Sequence, residues 1–162
     1  EAGVAAIMSY MAIYIVMTLG SFLCVLQMRD QSGAPVETIA SLSGLSQTNK
    51  SLAAALAIFM FSLAGIPPLF GFWAKFLVFE AAVKAGLFPL AAIGIAASVI
   101  GAFYYLKIIK TMYFDEPAAP YAKAESILER GLIAASAALI VLGYGLIPVL
   151  GNASAAAAKA LF

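Results

Sequence analysis

Apolar residues run through this chain in four long stretches separated by polar segments. The first stretch, residues 3–28, holds no charged residue and is long enough to cross about 30 Å of hydrocarbon at about 1.5 Å per helical residue. The others span 51–86, 88–114 and 131–150, and the third leaves its apolar part at Lys107. The pattern predicts an all-α integral membrane fold with about four transmembrane helices.

The polar segments predict loops at the membrane surface. Residues 29–50 are rich in Ser, Gly and Thr, and apolar residues recur there at every third position, which suggests a short interfacial helix. A second polar loop is predicted at 115–130. The tail, 151–162, is expected to return to the interface.

The second apolar stretch is interrupted by the double proline Pro67-Pro68. Proline lacks the backbone donor and pushes the preceding residue out of the α region, so nearby carbonyls lose their intrahelical partners. Gly65 and Gly71 flank the prolines and supply the backbone freedom that a break needs. A kink that only shapes packing is the alternative interpretation.

Residues 51–86 form either one interrupted span or two short helices folded back on each other, and the positive-inside rule distinguishes these alternatives. With one span, and leaving out Lys75, the basic residues divide six to two, with Arg29, Lys50, Lys107, Lys110, Lys123 and Arg130 on one side and Lys84 and Lys159 on the other. With two spans the division is four to four. We therefore predict that loops 29–50 and 107–130 are cytoplasmic and that both ends of the chain lie on the opposite side.

Composition excludes several classes of protein. Hydrophobic residues make up 64% of the 162 residues and charged residues 10%, with a mean hydropathy of +1.03. The net charge of +1 offers no basic field for nucleic acid. Without His and with only Cys24, we expect no metal or cofactor in this chain. Because the sequence begins without Met, we expect it to be part of a longer protein.

Lys75 is the candidate functional residue, because it is the only charged residue between Ser51 and Phe79. Counted back from Lys84 at the far interface, it lies about 13 Å into the membrane, close to the midplane. An ionisable residue at this depth beside a broken helix is typical of an ion or proton path. The alternative is a snorkelling lysine whose amine reaches the interface.

Two further basic residues have weaker interpretations. Lys107 follows Tyr104-Tyr105 and is interpreted as an interfacial anchor, with proton uptake as an alternative role. Lys84 follows Glu80 at a spacing of four, which predicts an ion pair on the helix surface.

Two motifs resemble a known family. Residues 62–79, SLAGIPPLFGFWAKFLVF, resemble the interrupted helix of the antiporter-like subunits of respiratory complex I, and GFWAKF at 71–76 resembles the subunit N type. Residues 104–117, YYLKIIKTMYFDEP, resemble the same type. The sister subunit M typically has glutamate at the position of Lys75, and subunit L typically has an acidic pair after its lysine.

The resemblance implies the last four of the fourteen helices of that fold, with Lys75 in the place of the essential lysine of the second half-channel. It also implies a proton-translocating membrane subunit of NADH:quinone oxidoreductase, without a redox centre of its own. FMN, iron–sulfur clusters and quinone are expected in partner subunits, and sister antiporter-like subunits and the lipid bilayer as neighbours. The expected location is the bacterial inner membrane or an equivalent energy-transducing membrane.

An Mrp-type cation/proton antiporter subunit is the main alternative, because that type shares the interrupted-helix motif. A purely structural membrane scaffold is a third possibility, but it leaves Lys75 unexplained. The acid–lysine pair and the first broken helix of the family's other inverted repeat are absent from this sequence.

Overall fold

The computed structural model describes residues 1–123 and 126–161, and within them it is all-helical. The α-helices are α1 (Ala2–Leu26), α2 (Leu45–Thr48), α3 (Lys50–Ala64), α4 (Phe70–Lys84), α5 (Phe88–Phe114), α6 (Ile127–Leu142) and α7 (Ile147–Lys159). Short 3₁₀ turns cover Ile39–Leu42 and Gly143–Leu146. The all-helical fold predicted from the sequence is confirmed.

Helices α3 and α4 follow one another along α1 as a single interrupted span. The contacts, in order along α1, are Gly20 with the Phe59 ring, Met17 with Ser62, and Ser9 and Ile13 around one small cavity with Phe70 and Leu77. From the C-terminal to the N-terminal part of α1, the contacts move first along α3 and then along α4, so the two helices run antiparallel to α1. Each of these two helices has 15 residues, about 22 Å, which is too short to cross the membrane alone.

Helix α5 returns antiparallel to the interrupted span. Gly94 faces the ring of Phe79 near one end, Ser98 contacts Lys75 in the middle, and the carbonyl of Thr111 accepts from the amide of Gly44 at 3.0 Å near the other end. Much of its apolar surface is exposed in the described chain. In a membrane protein such a surface faces lipid or other membrane helices.

The polar loops predicted at 29–50 and 115–130 lie at the same end of the bundle. Their backbone and side-chain hydrogen bonds join Ala118 to Ser43, Ala122 to Arg29, Gln31 to Pro120, and Tyr121 to Ser41. The opposite end holds the turn between α4 and α5 and the contact of Ser9 with Ser154. Which end faces the cytoplasm stays a prediction.

The last helical region differs from the predicted crossing at 131–150 with an interfacial tail. Helix α6 begins earlier, at Ile127, because the hydroxyl of Ser126 accepts from the amide of Glu129 at 3.2 Å and caps it. The chain then stays helical through α7 to Lys159, because the tail is rich in alanine, the strongest helix former. Residues 124, 125 and 162, which belong to the predicted loop and tail, lie outside the described residues.

Among the described residues, three helical stretches are long and apolar enough to cross a membrane, namely Ala2–Leu26, Phe88–Phe114 and Ile127–Lys159. The interrupted pair α3–α4 adds the fourth crossing of the predicted fold. Helix α3 is the most enclosed element, since Ala53 and Phe59 are fully buried against its neighbours. The break at its end is less enclosed, with Gly65 and Ile66 half-buried and Pro67 and Pro68 exposed in the described chain.

Candidate functional site

At the end of α3, only some of the backbone carbonyl groups have hydrogen-bond partners within the helix and its cap. Gly65 adopts the left-handed conformation, with φ of 83°, and its amide donates to the carbonyl of Ser62 at 2.9 Å. The amide of Ile66 donates to the carbonyl of Phe61 at 3.1 Å. This is the Schellman arrangement, in which a left-handed glycine ends the helix. It leaves the carbonyls of Leu63 and Ala64 as acceptors at the broken end.

The side chain of Lys75 reaches back from α4 to those two carbonyls. Its Nζ donates to the carbonyl oxygen of Leu63 at 2.8 Å and to that of Ala64 at 3.4 Å. A third bond, at 2.7 Å, runs from Nζ to the hydroxyl of Ser98 on α5. Three polar acceptors therefore surround a half-buried amine.

The broken end is electrostatically suited to a cation. Aligned peptide dipoles place about half a negative charge at a helix C-terminus, concentrated on the carbonyls that lack intrahelical partners. The ammonium of Lys75 lies on those carbonyls of α3. Within the described residues, no carboxylate lies within ion-pair distance of this amine. The amine thus contacts backbone dipoles and a hydroxyl rather than a counter-ion.

Gly71 lets the start of α4 lie directly beside the end of α3. Its amide donates to the hydroxyl of Ser62 at 3.0 Å, and a Cβ at this position would collide with the carbonyl and hydroxyl of Ser62. The same hydroxyl donates to the sulfur of Met17 at 2.9 Å. Side-by-side packing is what brings Lys75 within reach of α3, so the site depends on this glycine.

Two cavities meet at Lys75. The first, called here the tyrosine cavity, has a volume of about 430 Å³ and is lined by Tyr10 and Tyr14 of α1 and Tyr105 of α5, among others. The second, called here the apolar cavity, has about 590 Å³ and is lined mainly by apolar side chains, with Glu80 as its carboxylate. Lys75, Phe79 and Ser98 line both cavities. The amine therefore has access to space on two sides.

The break residues predicted from the sequence lie together with Lys75. Pro67 and Pro68 occupy the segment between α3 and α4, and Gly65 and Gly71 take the roles described above. A methyl group at Gly65 would lie 3.1 Å from Cδ of Lys75. The predicted interruption of the helix at Pro67-Pro68 is confirmed, while the function of these residues stays a prediction.

Lys107 is not brought to this site. It lies exposed on α5, nine residues from Ser98, which is about 13 Å along the helix. Its role in proton uptake stays a prediction. The expected pair of Lys84 and Glu80 is present at 2.8 Å on the exposed surface of α4.

Sequence reasoning missed two hydroxyl groups at the site. Neither Ser98 nor Ser62 is among the candidate site residues predicted from the sequence. The one available signal was polarity, since each serine lies in an otherwise apolar stretch. Their pairing with Lys75 and Gly71 depends on tertiary contacts.

Comparison with known proteins agrees with this architecture. The chain is 69% identical, over 99% of its length, to the NADH-quinone oxidoreductase subunit N of Rhizorhabdus wittichii, and it covers 34% of that protein. Its fold is similar to that of a chain in respiratory complex I from Thermus thermophilus, with a TM-score of 0.76 and 28% identity over 91% of this chain and 33% of that one. A chain of the Mrp complex from Dietzia is similar in fold, with a TM-score of 0.72 and 24% identity over 95% of this chain and 38% of that one.

The all-helical bundle with an interrupted membrane helix has the antiporter-like fold. The family described as "NADH:quinone oxidoreductase/Mrp antiporter, TM" matches residues 1–101. The chain belongs to this family. It spans about a third of the length of the relatives that it matches.

Proposed function

We propose that this chain is part of a proton-translocating membrane subunit of NADH:quinone oxidoreductase, and that Lys75 relays protons within it. The names of its relatives and its likeness to a complex I chain support the complex. The observation that carries the relay is the amine of Lys75, bonded to the broken end of α3 and open to two cavities. A charge at membrane depth is costly and is kept where it has a task.

In this proposal the broken end of α3 stabilises the charged amine, and a charge rearrangement nearby drives its proton toward the far side. Moving one charge against the membrane potential costs about 2.3 kcal/mol per 100 mV. That energy comes from electron transfer in other subunits. We assign FMN, iron–sulfur clusters and quinone to those partners, and other membrane subunits, including sister antiporter-like subunits, to the neighbouring positions.

The first prediction concerns replacement of Lys75 in the assembled complex. Lys75→Ala should leave assembly nearly normal, because removing a half-buried charge need not destabilise the bundle and water can reach the two freed carbonyls. Proton pumping in reconstituted vesicles should fall by more than about tenfold, a barrier increase of about 1.4 kcal/mol. NADH oxidation should fall with it if coupling is tight.

Lys75→Arg is the matched variant for this test. A guanidinium keeps its proton at any attainable pH, so we expect pumping to be impaired although the positive charge remains. Parental pumping rate and proton-to-electron ratio in the Lys75→Ala vesicles would exclude the relay and favour a snorkelling lysine.

An Mrp-type cation/proton antiporter subunit is the second candidate, because the Dietzia Mrp chain has a similar fold. The two candidates differ in their driving force. Purification of the chain with flavin and iron–sulfur subunits supports the oxidoreductase. Purification without them, together with cation-driven proton exchange in vesicles, supports the antiporter.

The second prediction concerns orientation in the bacterial inner membrane, or its equivalent. We propose that the end carrying loops 29–50 and 107–130 faces the cytoplasm, because most basic residues lie there. Single cysteines at 115–123 should react with an impermeant reagent only after the cells are opened. Cys24 is fully buried and gives little background. Labelling of this loop in intact spheroplasts would show that the orientation is the opposite of the one proposed.

A further inference from the structure

Ser98 reaches Lys75 from a helix that belongs to neither side of the break. Its hydroxyl lies 2.7 Å from Nζ, and the bond links residues 23 positions apart. Most serines in apolar helices satisfy themselves locally, as Ser21 does by donating to the carbonyl of Met17 at 2.8 Å. Ser98 also lines both cavities. The residue thus contacts the amine at the point where the two cavities meet.

Close helix packing does not account for Ser98. Gly94, one turn earlier on α5, provides the close approach, since a Cβ there would lie 2.8 Å from the ring of Phe79. Gly101, one turn later, faces open space. The hydroxyl rather than the small size of residue 98 is therefore the feature to explain.

Hydrogen-bond capacity separates Ser98 from the other two partners of the amine. An ammonium has three donors, whereas a neutral amine has two donors and one lone pair that accepts. The carbonyls of Leu63 and Ala64 can only accept. A hydroxyl can accept from the ammonium and, after rotating, donate to the neutral amine. With Ser98 in place, every polar position of the amine has a partner in both protonation states.

We propose that Ser98 is a positioning residue that holds the amine of Lys75 on the broken end of α3 in both protonation states. This inference rests on the proposed relay. When the ammonium gives its proton to a water molecule, one Nζ–H bond breaks and a hydronium ion forms in the cavity. The hydroxyl of Ser98 then turns to donate to the lone pair left on Nζ. In the reverse step, the hydronium ion returns the proton to Nζ and the hydroxyl of Ser98 turns back to accept from it.

The test compares variants of Ser98 in the assembled complex, reconstituted into vesicles. Ser98→Thr keeps the hydroxyl. Valine has nearly the same shape as threonine but lacks the hydroxyl, so the difference in pumping between the Thr and Val variants measures the effect of the hydrogen bond. We expect Thr to pump near the parental rate and Val to pump about tenfold more slowly, the effect of one bond to a charged group. Ser21→Ala, which removes a local bond on α1, should have no effect on pumping.

A pH profile distinguishes positioning from a general loss of packing. Without the hydroxyl both forms of the amine lose a hydrogen bond, but the bond to the charged form is the stronger one. The profile of the Val variant should therefore move lower relative to Thr, by up to about one pH unit. The other titratable groups facing the cavities are Tyr10 and Tyr14 on α1, Glu80 on α4 and Tyr105 on α5. They are the same in both variants, so their contributions cancel in the difference.

Equal rates and equal pH profiles for Thr and Val would overturn the role of Ser98, whatever Lys75 does. If both variants pump slowly with the same profile, the side chain at 98 only fills space, and the inference is again wrong. Lys75→Ala is measured in the same preparation. Its pumping decides the relay separately, because parental pumping there would reject the proposed function itself.

Discussion

Lys75, inside the bundle, is held differently from two lysines at the ends of the bundle. Lys84 pairs with Glu80 at one end, and Lys110 pairs with Asp115 at the other, and both amines are largely exposed. Lys75 is bonded to two carbonyls and one hydroxyl, without an acidic partner among the described residues. Lys84 and Lys110 therefore each have a counter-ion close to water, whereas the half-buried Lys75 has only neutral dipoles.

The difference follows from what each environment does to a charge. A nearby carboxylate stabilises an ammonium and keeps it charged. Neutral dipoles hold the amine in place without supplying an opposite charge. A relay needs the second arrangement, and a stable surface needs the first. The three predictions below alter one side of this comparison at a time.

Giving Lys75 an acidic partner should have the largest effect. Ser98→Asp places a carboxylate beside the amine and should fix its charge, as at the ends of the bundle. We expect pumping to fall by at least about tenfold in reconstituted vesicles while the complex still assembles.

The control is Ser98→Asn, which has the same shape but is neutral and can both donate and accept. It should retain more activity than Ser98→Asp. Equal pumping by the two variants would mean that the missing counter-ion is not what makes the central lysine different.

Displacing the stem of Lys75 should have an intermediate effect. Gly65→Ala places a Cβ 3.1 Å from Cδ of Lys75 and puts an alanine at φ of 83°. Gly86→Ala puts the same strain, about 1–2 kcal/mol, at φ of 75° in open space. Both should lower the apparent Tm of the complex by similar amounts. Only Gly65→Ala should reduce pumping, by a few-fold. A similar loss of pumping in the two variants would mean that backbone strain alone, and not displacement of Lys75, causes the loss.

Removing the surface pair should have the smallest effect. Glu80→Ala and Lys84→Ala break an exposed ion pair worth less than about 1 kcal/mol. We expect pumping and the apparent Tm to stay at the parental level. Because Glu80 also lines the apolar cavity, slower pumping in Glu80→Ala but not in Lys84→Ala would give that carboxylate a role in proton release.

The helices and the break could be predicted from the sequence because each has a local cause. Apolar runs of sufficient length set the membrane helices, and the predicted bounds 88–114 coincide with those of α5. The double proline set the break. The early start of α6 and the helix α7 also have local causes, the cap at Ser126 and the alanine-rich tail. These residues had been predicted to lie in a loop, 115–130, and in an interfacial tail, 151–162.

The arrangement around Lys75 could be predicted only in part. Its nearness to the break followed from the spacing of four between Gly71 and Lys75, while its depth in the membrane stays a prediction. The groups that accept its hydrogen bonds depend on the axial offset between α3 and α4 and on the register between α4 and α5. Those offsets are set by contacts such as Gly71 with Ser62 and Gly94 with Phe79, which join distant parts of the chain.

Two of the three partners of Lys75 belong to the main chain, and this affects which substitutions the site tolerates. Every amino acid at positions 63 and 64 presents the same carbonyl oxygen, so side-chain replacement there cannot delete the acceptors while the helix persists. A comprehensive substitution library should therefore find positions 63 and 64 permissive for apolar residues, with Gly65, Gly71 and Lys75 restrictive. The two carbonyl acceptors are encoded by where the helix ends, not by the side chains at positions 63 and 64.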